Sequence, residues 1–276
     1  MKKFLVAIFL KLISRLALIA IKNNSTDPLF ITKILEKLNF LLGKGFGGQN
    51  SIKIETDYVK SYLNQSSKSI LIDAGANKGA YSDFLINDLY NYELVLFEPN
   101  KENYKILLSK YKKNNKVLVE NLGLSNKSMN TKLYSDTEGS GMASLSKRKM
   151  EHFNKSFEIE ERVKVIKFYD YWVNNFKDRR IDLLKLDIEG HEMYALEGCE
   201  DMVKNIKLIQ FEFGGCNIDS KTYFQDFWYF FQNNNFDIYR MSPIKLLKIN
   251  KYSEADEFFI TTNFLAINKA MENKII

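Results

Sequence analysis

The chain has 276 residues, 45% hydrophobic, 27% charged and 14% aromatic, enough apolar side chain for one packed core with appendages and unlike a disordered chain. Two cysteines (Cys199, Cys216) and two histidines (His152, His191) are too few and wrongly spaced for a zinc ribbon, a zinc finger or a disulfide scaffold. The net charge of +6 falls partly in short scattered clusters, Lys110, Lys112 and Lys113 or Lys147, Arg148 and Lys149. No aromatic RNA-binding motif accompanies them, so nucleic acid is not an expected partner.

In chain order, the first segment carries apolar runs at Phe4 to Leu10 and Leu16 to Ile21, each too short to span a bilayer. Lys11, Ser14, Arg15 and Lys22 share one helical stripe, the pattern of a basic amphipathic helix. Residues 3–22 therefore suit peripheral contact with an anionic membrane face, or packing on the body of the protein or a second subunit. No small-x-small site follows that would mark a cleaved signal peptide. A second helix is predicted from Pro28 to Leu42, with Asp27 as N-cap and Gly43 as the stop. The run Gly43 to Gly48 reads as a flexible joint, which divides the chain into a helical leader, residues 1–50, and a main domain, residues 51–276.

From residue 68 short apolar strands alternate with helices. Strand Ile70 to Ala74, helix Ala80 to Leu89, strand Glu93 to Phe97, helix Glu102 to Tyr111 and strand Val117 to Leu122 come first. The rhythm resumes with strands Val163 to Phe168, Ile181 to Leu186, Leu208 to Phe213, Asp237 to Met241 and Phe258 to Ile267, with helices at Tyr169 to Phe176, His191 to Val203 and Thr222 to Asn233. This predicts an α/β fold with a doubly wound, Rossmann-like sheet. Residues 125–161 break the rhythm and read as an insertion over the ligand crevice.

Three segments carry chemistry. In Asp73-Ala-Gly75-Ala-Asn77-Lys-Gly79 a buried strand runs into a glycine turn that lets backbone approach a ligand. The spacing is neither GxGxxG nor a P-loop. It leaves room for an amino-acid-like ligand end near Asp73. Glu98, in Phe97-Glu98-Pro99, ends the next strand where doubly wound nucleotide binders place an acid on ribose hydroxyls. Asp187, Glu189, His191 and Glu192 crowd the end of a third strand, and Glu212 ends a fourth. Unpaired carboxylates there are expensive unless a ligand, metal or partner satisfies them. Glu192 also reads as a cap.

These segments, DAGANKGAYS, FEP, NLGLS, LLKLDIEGHEMYALEG, FEF and the terminal FLAIN strand, together resemble the FkbM family of S-adenosylmethionine-dependent O-methyltransferases over roughly residues 55–268. The resemblance implies that Asp73, Gly75, Asn77 and Gly79 hold the methionine end of S-adenosyl-L-methionine. It also implies that Glu98 takes the ribose hydroxyls, that Asn121 and Gly123 lie near the adenine, and that Asp187 and Glu189 face the reacting centre. The acceptor expected is a hydroxyl on a sugar or glycan precursor. A soluble polyketide or lipid alcohol, or a donor-binding scaffold without catalysis, are the alternatives.

Methyl transfer to a hydroxyl needs a base for the alcohol proton. Asp187 or His191 is expected to serve, with Glu189 and Glu212 orienting the acceptor. A divalent cation on Asp187, Glu189 and Glu212 is chemically sensible, but sulfonium chemistry does not require one. Cys199 and Cys216 read as small core residues, His152 as a surface residue of the insertion, and the aromatic run from Tyr223 to Phe231 as core. The expected location is the cytoplasm, at the inner membrane face if the leader binds lipid. The oligomeric state is not legible.

Overall fold

The computed structural model describes Arg15 and residues 28–48, 50–64 and 67–271. The leader helix expected over residues 3–22 and the Asp27 cap lie outside these residues, apart from Arg15. The chain forms two compact units, residues 1–42 and 43–276. In the first, one helix runs Pro28–Leu41. Among the described residues no helix is long and apolar enough to cross a membrane.

The second unit is built on strands β1 (Ser69–Ala74), β2 (Tyr92–Phe97), β3 (Val117–Glu120), β4 (Gly123–Ser125), β5 (Met129–Ser135), β6 (Ile159–Lys167), β7 (Ile181–Leu186), β8 (Ile206–Phe213), β9 (Phe236–Arg240), β10 (Leu247–Lys248) and β11 (Thr262–Asn268). Eight of them form one sheet in the order β3-β2-β1-β7-β8-β11-β9-β10. The first five are parallel, and β11 runs antiparallel to both β8 and β9. Every residue of β1, β7, β8 and β11 is buried, as expected where helices cover both faces of a parallel sheet.

Alternate side chains feed two cores. Ile70, Ile72, Leu184, Leu186, Ile209 and Phe211 face one side with the helices Phe168–Phe176 and Phe224–Asn233. Leu71, Leu94, Leu96, Leu183 and Leu208 face the other with Val59, Leu85 and Leu107 from the helices Ile52–Lys60, Ala80–Ile86 and Lys101–Tyr111. The strand order reverses between β1 and β7. In doubly wound folds that switch point opens a ligand crevice at the carboxyl ends of the strands.

The helix expected at His191 to Val203 is a helix over Glu192–Glu197 and a 3-10 segment over Glu200–Asn205, the last strand begins at Thr262, and two further expectations change. The strand expected at Val163 to Phe168 belongs to a separate three-stranded sheet, β4-β6-β5. Its burial explains the difference: β6 buries only Val163 and Val165, the alternation of a one-sided strand. The glycine run after Leu42 is packed against the sheet: Gly43 at φ +86° has no room for a Cβ, which would lie 2.1 Å from the Met241 carbonyl oxygen. Gly45 N–H donates to Thr262 Oγ1 and Phe46 O accepts from Asn263 N–H, at 2.9 and 3.1 Å. A strap of this kind needs glycine for close approach as much as for flexibility.

Phe211 anchors the first core, stacking on Phe227 and Phe264 at 4.9 and 5.2 Å and lying 5.0 Å from Phe231. Phe211→Ala should therefore destabilise the protein by about 3–5 kcal/mol, read from the shift in urea midpoint at unchanged slope.

Candidate active site

At the end of β1 the chain turns through Gly75, φ +78°, where a Cβ would stand 1.8 Å from the Asp187 carbonyl oxygen. Only glycine lets the β1 loop lie this close to the end of β7. Asn77 also takes a left-handed backbone, φ 49°. Gly79, φ +79°, precedes the Ala80–Ile86 helix and packs against Tyr111. Asp73 lies beneath this loop, fully buried. Its two oxygens accept from Ser82 Oγ at 2.6 Å and Lys185 Nζ at 3.1 Å.

Glu98 faces the same loop from the end of β2. One carboxylate oxygen accepts from the Asn77 N–H at 2.7 Å and the other from the Asn100 N–H at 2.8 Å. Burial nevertheless pushes its carboxyl up to about 7. Asn121 does not line this pocket. Its amide donates to the carbonyl oxygens of Glu98 and Pro99, both at 2.9 Å, and so holds the acid-bearing turn. Gly123 and Leu124 do line it, with Phe97, Pro99, Asn103, Leu145 and His191. Two buried acceptors there, Asn77 Oδ1 and Asn103 Oδ1, have no hydrogen-bond partner among the described residues. Orphaned buried acceptors are costly. Together with a glycine-lined approach and the Glu98 acid at the end of β2, they fit a ligand that brings hydroxyl or amino donors.

The end of β7 supplies a second, acidic face. Asp187 is the more open acid, its side chain 36% exposed and 3.4 Å from Lys185 Nζ. Burial alone would depress the Lys185 ammonium, but Asp73 and Asp187 outweigh it and raise its pKa above the ordinary value. Glu189, φ 54°, accepts from Arg148 Nη1 at 2.6 Å. Burial and the Asp187 charge raise its carboxyl against the pull of that guanidinium. The turn is held further by Ser144 Oγ, which donates to Glu189 O at 2.7 Å, and by Glu192, which accepts from the Ile188 and Gly190 N–H groups. His191 packs on Tyr194, with Nε2 2.9 Å from Ser125 Oγ. Burial lowers its pKa to about 4, leaving a neutral imidazole and a weak base.

Beside this face opens a cavity of about 720 Å³ whose walls include Glu55, Lys185, Asp187, Glu189, Glu212 and Arg148. Glu212, 8% exposed, is raised well above the ordinary carboxylate range by burial and then by Asp187 and Glu189. Residues 139–142 of the insertion roof this cavity, and a Cβ on Gly141 would stand 2.5 Å from the Asn77 amide nitrogen. His152 is exposed beside Phe153. Cys199 is core. Cys216 lines the large cavity, with its sulfur and one oxygen each of Glu189 and Glu212 within 4.8 Å of one another. Asp187 is not in that group. Phe224, Phe227 and Phe231 are fully buried, whereas Tyr223 and Tyr229 are exposed.

A family model described as the methyltransferase FkbM domain matches residues 73–238, more than half of the chain. The chain belongs to the FkbM methyltransferase family. Its fold is the Rossmann-like one of S-adenosylmethionine-dependent methyltransferases. No curated protein matches. Solved structures similar to this FkbM-family chain include precorrin-6y C5,15-methyltransferase from Geobacter metallireducens GS-15, 9% identical, TM-score 0.42, over 78% of this chain and 86% of that one. An rRNA methylase from Streptococcus thermophilus is 11% identical, TM-score 0.40, over 78% and 94%. Likeness at this level assigns neither donor nor acceptor.

Several site residues of this FkbM-family chain escape the sequence reading. Glu55, outside the matched segment, is 2% exposed and accepts from Ser51 Oγ and from Gln210 Nε2, whose own Oε1 accepts from Tyr81 Oη. Arg148 reads in sequence as one member of a basic cluster. Nothing in local spacing signals either role, since each depends on tertiary approach.

Burial raises the Glu55 carboxyl from 4.5 to about 7. The folded state thus prefers the protonated form: the stability this group contributes is complete below pH about 4.5 and is lost as pH rises through about 7. Glu55→Gln should remove roughly 2–3 kcal/mol of the fall in unfolding free energy between pH 5 and pH 8, measured by urea titration at both values. An unchanged difference would exclude Glu55 as the titrating group.

Proposed function

We propose that this chain is an O-methyltransferase that carries the methyl group of S-adenosylmethionine to a hydroxyl on a sugar or glycan precursor, in the cytoplasm. One observation carries the reading: Asp187 and Glu189 line both the small pocket beside Glu98 and the large carboxylate-walled cavity. Whatever sits in the two cavities meets at these acids.

The donor would be held by the Gly75–Gly79 loop, Glu98, Asn103 and Gly123, and the orphaned acceptors Asn77 Oδ1 and Asn103 Oδ1 support that fit. Asp73 and Asn121 act at one remove. Asp73 fixes Ser82 and Lys185, and Asn121 fixes the Glu98–Pro99 backbone. S-Adenosylmethionine, when bound, supplies a methyl group on a sulfonium, so the leaving group is already in place.

The residues of the chain must then align the acceptor oxygen and take its proton. Asp187 is the base in this reading, because it reaches both cavities and Lys185 fixes its position. His191, with its pKa near 4, is the weaker candidate. Glu189 is occupied by Arg148. Glu212 is left to hydrogen-bond the other hydroxyls of the acceptor, since both Glu55 oxygens are taken by Ser51 and Gln210. A wall of carboxyl groups favours an acceptor with several O–H donors over an apolar one.

Calorimetry with S-adenosylmethionine and S-adenosylhomocysteine should show binding in the micromolar range, about −8 kcal/mol. Glu98→Ala should weaken it about tenfold or more, the loss of a charge-assisted hydrogen bond. Asp187→Ala should keep product affinity within about threefold yet lose about 100-fold or more of methyl transfer to sugar acceptors, followed with radiolabelled donor. No donor binding under any condition would end the methyltransferase reading, and turnover of Asp187→Ala within about threefold would end its assignment as base.

A further inference from the structure

The net charge of the chain is not spread along it. Residues 1–42, the first compact unit, hold seven Lys and Arg against two Asp and Glu, or +5 of the total +6. The remaining residues, which include every site residue above, have 33 against 32. The basic clusters at Lys110 and Lys147 are thus balanced by acids within the catalytic unit, while the charge of the first unit is not.

The helix Pro28–Leu41 adds a second, independent observation. Ile31, Ile34, Leu35, Leu38 and Leu41 fall on one face at helical spacing. Of these, Ile34, Leu35, Leu38 and Leu41 are 43%, 54%, 51% and 46% exposed. Lys37 borders one edge of that face, and Lys33, also exposed, follows on the same side, with Glu36 farther round. An apolar stripe with lysines along one edge suits a helix lying in a membrane interface, with aliphatic stems in the acyl boundary and ammonium groups at the headgroups.

We propose that this N-terminal unit docks the enzyme on an anionic lipid bilayer, the Ile34, Leu35, Leu38 and Leu41 face entering the interface. Charge selects this occupant. A second copy would bring another +5 unit, or a catalytic unit with almost no net charge, to a unit that already carries +5. An anionic leaflet attracts each cation within about a Debye length of about 10 Å. The leader, residues 3–22, contributes Lys3, Lys11, Arg15 and Lys22 to the same charge.

The test uses the full chain and two vesicle types, phosphatidylcholine alone and phosphatidylcholine with phosphatidylglycerol, read by co-sedimentation. Binding should be about tenfold or more tighter on the anionic vesicles and should fall steeply with added salt. Lys33→Glu/Lys37→Glu and Leu35→Glu/Leu38→Glu should each weaken it about tenfold or more. Both variants should keep wild-type circular dichroism and S-adenosylhomocysteine affinity, a readout that separates failure here from failure of the methyltransferase reading. Equal affinity for both vesicle types, or no sedimentation with either, overturns the proposal. So does a concentration-dependent dimer that Leu35→Glu/Leu38→Glu dissolves, which would assign the apolar face to a second copy.

Discussion

The site depends on one buried cation. Lys185, on the fully buried strand β7, lies opposite Asp73 of β1 in the parallel register and carries its ammonium to Asp73 Oδ1 and Asp187 Oδ2. An isolated ammonium there would cost several kcal/mol in desolvation. With an acid on each side and the Tyr81 ring 4.7 Å from Nζ, the charge is compensated and also tethers two strands at the switch point. Gly75 can then lie against the Asp187 carbonyl, and the β1 loop and the β7 turn form a single wall. Removing Asp73, the fully buried partner, would leave the ammonium with only the more open Asp187, and breaking a buried pair costs more than the pair contributes.

Around that cation the protein gathers more carboxyl groups than it neutralises. Glu55, Glu98, Glu192 and Glu212 are all raised by burial before any neighbour is counted, and Arg148 answers only Glu189 and, at 3.8 Å, Asp219. A protonated carboxyl both donates and accepts hydrogen bonds. Of these acids Glu212 lines the large cavity, and under the reading proposed above it could pair with acceptor hydroxyls in either sense.

The parts legible in sequence are those fixed by local pattern. Strands β1, β7 and β8 read correctly because each is a short, mostly apolar segment between turn signals, and Asp73, Glu98, Asp187 and Glu212 are found because a carboxylate in or just beyond such a segment is anomalous. β6 misleads because Val163 and Val165 fit either a one-sided or a two-sided strand until burial is known. Glu55 sits in a helix with no local irregularity, and its partner Gln210 lies 155 residues away. Asp73 is the subtler case: its position is legible, but only the structure shows that Ser82 and Lys185 already take both of its oxygens.

The insertion shows why fold and specificity need not be read from the same residues. Glu189 holds a left-handed backbone that a non-glycine residue adopts only when its surroundings enforce it. Three of its restraints are local, the Glu192 carboxylate on the adjoining N–H groups, Gly190 at φ +97° and the packing of Gly190 on Cys216. The other two, Ser144 on its carbonyl and Arg148 on its carboxylate, come from the insertion. The segment that roofs the large cavity thus also sets the geometry of the acid beneath it. Changing the length or sequence of residues 139–148 would alter the large cavity and the aim of Glu189 together, while the Asp73–Lys185–Asp187 tether would hold the Gly75–Gly79 loop in place. Under the proposed reading, acceptor choice can therefore vary through this insertion without disturbing the loop proposed to hold the donor.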